Sequence, residues 1–221
     1  MIARLRRWLP NRPLKTLSSI EAYAKWAASY PPHAHNPLMQ AEERAMLDAM
    51  PELNGRIVLD LACGTGRYGR LALERGAQQV VGLDNSMAML RANTSAYTAL
   101  STTEAIPLRG ASIDIVLCGL ALGHLPRLAP SFSEISRVLK RDGHALISDF
   151  HPFLYLNGNQ RTFTAPDGKT YAVEQYAHLY ADYHRAARSA GLDIEQVIEP
   201  RLDIPNAPQS PVVLVLRLRK A

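Results

Sequence analysis

Long apolar runs are missing from this chain. None approaches the ~20 residues that a membrane-spanning helix needs; the longest, 115–122 and 211–216, read as buried strands. Cysteine is scarce as well, with Cys63 and Cys118 alone. Two thiols make no disulfide framework and lack the His/Cys spacing of a zinc site, so a reducing cytoplasm is the expected compartment. Residues 1–10 are basic but carry no apolar stretch ahead of a small-residue cleavage site, which argues against a secretory signal. Leu5, Trp8 and Leu9 share one helical face, so a short membrane-surface helix stands there as the alternative to a frayed or docking terminus. There is no RNA-binding motif and no Lys/Arg run longer than two. The net charge of +5 owes much to Arg4, Arg6, Arg7, Arg12 and Lys15; the other basic residues are scattered, as on an ordinary solvated surface. Ser148-Asp149 sit inside a strand pattern without a nucleophile elbow, and the acidic residues show no paired metal motif.

What remains is a globular composition. Of 221 residues, 47% are hydrophobic and 20% charged, enough to bury one sizeable core. Residues 17–30 predict a helix, capped by Ser18 or Ser19 with Glu21 in the first turn, and stopped by Pro31-Pro32. A second helix is predicted over 37–50, with Leu38, Ala41, Ala45, Met46 and Ala49 as its apolar stripe and Glu42 intruding on the edge of that stripe.

From residue 56 the pattern alternates. Strands are predicted at 56–62, 79–83, 97–100, 113–118 and 144–150, and helices at 68–75, 86–94 and 130–139. The nearly continuous Ile57, Val58, Leu59 and Leu61 suit a parallel strand covered on both faces. Such alternation argues for a doubly wound α/β sheet. Residues 152–169 break the rhythm with Asn157-Gly158-Asn159 and Pro166-Asp167-Gly168, the turn signals of an inserted loop or small hairpin. A helix over 180–190 ends at Gly191. Two closing strands, 192–199 and 212–218, are joined by a proline-rich connection too short for a crossover helix, so they are expected to be antiparallel neighbours.

The informative segment is 58–69, VLDLACGTGRYG. A glycine turn after a strand lets the backbone approach a ligand, and the helix behind it presents free N–H groups. Gly64-x-Gly66-x-x-Gly69 with Asp84 twenty residues after Gly64 is the literal dinucleotide fingerprint. The glycines alone leave two adenosine-bearing cofactors in competition. Asp60, at the tip of the first strand, tips the balance. A carboxylate there repels a diphosphate, by about a kcal/mol or more in a partly buried cleft, and attracts the cationic methionine end of S-adenosylmethionine.

Residues 58–67 resemble motif I of the class I S-adenosylmethionine-dependent methyltransferases, and 81–90, VGLDNSMAML, resemble the next motif. Glu104-Ala105-Ile106-Pro107-Leu108 with Ile113-Asp114-Ile115-Val116 is similar to the third and fourth segments. The stretch 137–143, RVLKRDG, matches the turn before the fifth strand. The resemblance covers roughly residues 56–150 and is nearest to the ubiquinone/menaquinone and biotin-pathway group. It implies a seven-stranded, mostly parallel Rossmann-like sheet with an antiparallel last strand, an N-terminal helical lid over 1–55, a cofactor-binding core over 56–150, an insertion after the fifth strand forming a substrate cap over 151–191, and a terminal strand pair over 192–221.

The resemblance also implies residue roles. Asp60, Ala62, Gly64 and Gly66 would line the methionine side, and Asp84, with Asn85 beside it, would take the ribose hydroxyls. Met87 would pack on the adenine. Thr102 and Thr103 stand where the family often has Asp and a small residue; Thr102 departs from that pattern. Cys118 and Leu120 would border the methyl-transfer point. Beyond the motifs, His124 and His151 follow the fourth and fifth strands and are the candidate bases. Tyr23, Trp26 and Tyr30 share a face of the first helix, as core packing or as a lid in which Tyr30 reaches the cofactor and the others face the acceptor. Tyr176 and His178, in the aromatic-rich stretch 171–184, are candidate cap residues.

The acceptor is expected to be a small molecule. Cys118-Gly119-Leu120-Ala121 lacks the Asn/Asp-Pro-Pro-aromatic signature of enzymes that methylate base amines, and no nucleic-acid module is appended. No metal is required. A non-catalytic S-adenosylmethionine-binding protein, an RNA methyltransferase and an NAD(P)-dependent oxidoreductase are the competing readings.

Overall fold

The computed structural model describes residues 14–202, 204 and 209–221. The apolar face of Leu5, Trp8 and Leu9 and the arginines Arg4, Arg6, Arg7 and Arg12 lie outside the described residues. The chain begins with β1 (Thr16–Leu17) and α1 (Ser19–Trp26), where Ser18 and Glu21 cap each other's backbone amides reciprocally. A short 3-10 turn (Ala27–Ser29) ends this unit. Asn36 accepts from the Met39 amide at 2.9 Å and starts α2 (Pro37–Ala49).

The sheet is built from β2 (Ile57–Leu61), β3 (Gln79–Asp84), β4 (Thr98–Leu100), β5 (Ile113–Gly119), β6 (Leu139–Phe150) and the final pair described below, with α3 (Arg67–Glu74), α4 (Met87–Ala92) and α5 (Ala129–Val138) as crossovers. After β6 come α6 (Pro152–Leu156), the hairpin of β7 (Thr162–Thr164) and β8 (Thr170–Val173), and α7 (Tyr180–Ser189). β9 (Leu192–Ile198) and β10 (Val213–Lys220) complete a seven-stranded sheet in the order β4-β3-β2-β5-β6-β10-β9. In this sheet β10 runs opposite to the other six strands. The strand order reverses between β2 and β5, which opens the crevice where ligands enter such sheets.

Both faces of the sheet are apolar because successive side chains point to opposite sides. Leu59 and Leu61 pack with Val116, Phe132, Ile135 and Ala187, under α5 and α7. Val58 packs with Met46, Ala49, Tyr68 and Ala72, under α2 and α3. Asp60 falls on that second side.

Two features exceed what the residue pattern indicates. β6 starts five residues before the expected strand, since Leu139 already pairs with Ile113; the ladder resumes at His144 after an irregularity in which Asp142 takes φ +60°. β1 pairs in parallel with β8, Thr16 against Ala172 and Leu17 against Val173. The N-terminal segment and the insertion therefore share a three-stranded sheet and a small core of Leu17, Ala22, Phe163, Ala165 and Val173. Among the described residues no helix is long and apolar enough to cross a membrane.

Glu42 is fully buried in the apolar stripe of α2. Its Oε2 accepts from Arg67 at 2.8 Å, and its Oε1 accepts from the Tyr68 hydroxyl at 2.6 Å and the Ser148 hydroxyl at 2.5 Å. The Arg67 guanidinium lies 4.4 Å over the Tyr68 ring. Removing one partner strands the others, so Glu42→Ala is expected to cost about 3–5 kcal/mol in urea unfolding. A loss below about 1 kcal/mol would show that the cluster can do without its carboxylate.

Candidate functional site

The carboxyl ends of β2 and β5 stop side by side, each on a residue in the left-handed region: Ala62 at φ +57° and Leu120 at φ +56°. Neither is glycine, and such backbone costs of order 1–3 kcal/mol unless its surroundings hold it. At Leu120 they do. Its N–H donates to the carbonyl (2.9 Å) and hydroxyl (3.1 Å) of Ser148, and its carbonyl accepts from Arg161 at 2.8 Å.

A cavity of about 370 Å³ opens over this point. Its floor is the β2–α3 turn. The Gly64 amide donates to Asp84 Oδ2 at 2.8 Å, while Asp84 Oδ1 accepts from the Ser86 amide at 2.7 Å. Gly66 caps α3 at φ +88°, where an added Cβ would meet Asn93 Oδ1 at 2.6 Å. Asn93 in turn donates to the Gly64 carbonyl at 3.1 Å, a clamp with no signal in the residue pattern. Asp60 is 2% exposed and accepts from the Gly69 amide at 2.7 Å. Burial pushes its carboxyl up to about 7, and pushes that of Asp84 up as well.

The cavity's charge is lopsided. Asp60, Asp84, Glu104 and Glu174 line it against one cation, Arg67, which is already held by Glu42 and Glu43. A diphosphate would meet like charge here, whereas a sulfonium and an ammonium would relieve Asp60 of its burial penalty. The turn also keeps room for a ligand: an added Cβ on Gly64 would meet nothing within 4 Å, and the buried Thr65 hydroxyl has no partner. These residues fit S-adenosylmethionine.

Of the residues singled out from the sequence, Tyr23, Tyr30, Asp60, Ala62, Gly64, Asp84, Asn85, Thr102, Thr103, Leu120 and His124 all line this cavity. Thr103 is fixed there by the Ser131 hydroxyl at 2.7 Å. Several others stand elsewhere. Met87 is 47% exposed, and Met89 is the methionine in the wall. Cys118 is fully buried in the core under α5, because strand alternation turns it away from the crevice. Trp26 stacks on Phe163 at 5.0 Å and packs against Tyr30, which makes it part of the small core shared by the N-terminal segment and the hairpin.

His151, Tyr176 and His178 line a separate cavity of about 290 Å³ on the far side of Arg161. The His151 ring caps α6, with Nδ1 accepting from the Phe153 amide at 3.3 Å and Nε2 facing Glu199 at 3.1 Å. His178 Nε2 faces the Leu125 carbonyl at 2.8 Å. Arg161, missed in the sequence, is buried between the two cavities. It pairs with Asp149, whose other oxygen accepts from Tyr183 at 2.9 Å, and stacks 3.9 Å over Phe150. Nothing marks it in the sequence beyond a charge next to a hairpin.

The core of this chain is similar to known proteins. Residues 59–147 match the sequence profile of the family described as Methyltransferase domain. Around it, the chain is 33% identical over 132 residues to a malonyl-[acyl-carrier protein] O-methyltransferase of a Methylovorus species, a match covering 52% of this chain and 45% of that one. It is 25% identical over 194 residues to an uncharacterized protein of Haemophilus influenzae, covering 73% and 76%. The match thus spans less than half the length of the named methyltransferase. The crystal structure of a putative S-adenosylmethionine-dependent methyltransferase from Listeria monocytogenes shares the methyltransferase fold, with TM-score 0.70 and 24% identity over 82% of this chain and 99% of that one.

Two measurements check the site. Asp84→Ala is expected to weaken S-adenosylmethionine binding by roughly 1.5–3 kcal/mol in calorimetry, the worth of hydrogen bonds to a charged group; unchanged affinity would remove Asp84 from the site. A cation binds the ionised form of Asp60, which is half protonated near pH 7 in the free protein. Affinity for S-adenosylmethionine is therefore expected to fall as pH drops below 7, by up to about tenfold per unit, and to level off above it. Asp60→Asn should abolish that dependence; a slope surviving in the variant would assign it to another group.

Proposed function

We propose that this chain is an S-adenosylmethionine-dependent methyltransferase that methylates a small-molecule acceptor by direct displacement. The cofactor is S-adenosylmethionine, which when bound supplies a methyl group already activated on a sulfonium. The observation that carries this reading is the buried, unpaired carboxylate of Asp60 in an acidic cavity at the switch point of the sheet. The methyltransferase-domain match over the same residues agrees with it.

The chain's own work is to bind, orient and exclude water. Asp60 meets the cationic amino-acid end, and the Ala62–Gly64 turn gives it backbone room, with Gly66 behind it against Asn93. Asp84 and Asn85 meet the ribose, with Thr102, Thr103 and Met89 towards the adenine. Tyr30 and Tyr23, from the lid, and Leu120 and His124, from the β5 end, close the side where the acceptor enters. The second cavity, with Tyr176, His178 and His151, gives the cap room for the remote part of an acceptor. A small acceptor is favoured because lid and cap together roof the crevice. The two free, buried cysteines suit a cytoplasmic protein.

Thermal unfolding separates the cofactor readings. S-adenosylhomocysteine at a hundredfold excess over its Kd is expected to stabilise the protein by about 2.7 kcal/mol, and NADH to leave the midpoint where it was. Stabilisation by NADH alone would overturn the reading.

A further inference from the structure

The second cavity, of about 290 Å³, lies on the far side of Arg161 from the acid-lined one. Its size is near the low end for small-molecule pockets. Leu38, Phe150, Leu154, Ala177, Leu202 and Val212 give it an apolar wall. Among the described residues, its charged side chains apart from two histidines are Arg161 and Asp149, and these pair with each other. The other Asp149 oxygen accepts from the Tyr183 hydroxyl at 2.9 Å. His151 and His178 are held by Glu199 and by the Leu125 carbonyl. A cation here would meet Arg161 and an anion would meet Asp149, so an uncharged occupant fits.

One donor of this wall has no acceptor. Arg161 Nη1 donates to the Leu120 carbonyl at 2.8 Å and to His124 Nε2 at 2.9 Å, and Nη2 donates to Asp149. The Nε–H is buried with no partner among the described residues. A guanidinium carries its donors in one rigid plane. The Asp149 pair, the Leu120 carbonyl and the Phe150 ring 3.9 Å away keep that plane from turning to find an acceptor. A buried N–H in this state favours whatever brings it a lone pair. Gln175 supplies the converse. Its Nε2 donates to the Asn159 carbonyl at 3.0 Å, which leaves Oε1 as an acceptor in the same wall. One donor, one acceptor and no spare charge match a carboxamide.

We propose that the second cavity is a binding site for a largely apolar molecule or group that bears a carboxamide. Its carbonyl oxygen accepts from Arg161 Nε, and its amide N–H donates to Gln175 Oε1. A carboxylate of the same shape would bring the oxygen but also a charge towards Asp149. An amidinium would bring donors where a lone pair is required. The carboxamide is carried by the remote part of the acceptor or by a separate small molecule, and both present the same chemistry to the wall. Arg161 also holds the Leu120 carbonyl, so one guanidinium serves both cavities.

The test uses the full ¹⁵N-labelled chain and three probes of one shape: benzamide, benzoate and benzamidinium. Loss of one resonance in Arg161→Lys, which keeps a cation for Asp149, assigns the Arg161 Nε–H signal. Benzamide is expected to move that signal saturably and to bind about tenfold or more tighter than either ion. Ala177→Trp fills the cavity from the segment before α7 and is expected to abolish the movement, with a cooperative unfolding transition as the check on folding. A signal that no concentration of benzamide moves, or three probes of equal affinity, would overturn the proposal. So would a movement that survives in Ala177→Trp. Methyl transfer from labelled S-adenosylmethionine to a small-molecule fraction of cell extract then assigns the source. Benzamide that competes with the fraction assigns the carboxamide to the acceptor; benzamide that binds without competing assigns it to a separate molecule. That last arm alone rests on the methyltransferase reading above, so its failure is told apart from failure of the binding arms.

Discussion

A carboxylate that is buried without a cation dictates how the rest of this molecule works. Asp60 is held in place by one backbone amide, in a wall where acids outnumber the single, already committed arginine. Such an arrangement destabilises the empty protein and is relieved by a positive ligand. The same feature that makes the crevice hostile to diphosphates makes it hospitable to a sulfonium amino acid. Chemical choice between two adenosine cofactors thus comes down to one charge at the tip of one strand, on top of a glycine turn that would serve either.

Around that charge, the fold supplies precision through buried polar links. Ser148 holds the Leu120 amide and itself leans on Glu42, which reaches Arg67 at the start of α3. Leu120 is held from the other side by Arg161. The left-handed backbone at the end of β5 is therefore pinned by side chains from α2, β6 and the segment before β7, not by its own preference. The end of β5 and the start of α3 share these supports.

The sheet was legible from the residues because its signals are local. Nearly continuous apolar runs such as 57–61 mark strands covered on both faces, and Gly76 and Gly191 sit just past the helices that they end. The cavity beside the β2–α3 turn was legible for the same reason, since Asp60, Gly64 and Asp84 lie at fixed offsets from strand ends. What escaped was non-local. Arg161 and Asn93 act across 37 and 29 residues respectively, on His124 and the Gly64 carbonyl, and neither spacing has a pattern of its own. Cys118 and Met87 were misplaced by a single step of strand or helix phase, which decides whether a side chain faces the crevice, the core or solvent. Glu42 was visible as a misfit in an apolar stripe, but its partners were not.

The two residues of β1 tie the N-terminal segment to the inserted hairpin. The two segments are in that sense one piece, made from sequence before and after residues 59–147. Related enzymes could exchange acceptor preference by inheriting that piece as a matched pair, while a lid grafted alone would arrive without the strand that anchors it. Divergence in this protein's lineage is then expected to show the two segments changing in concert, around a core that stays put.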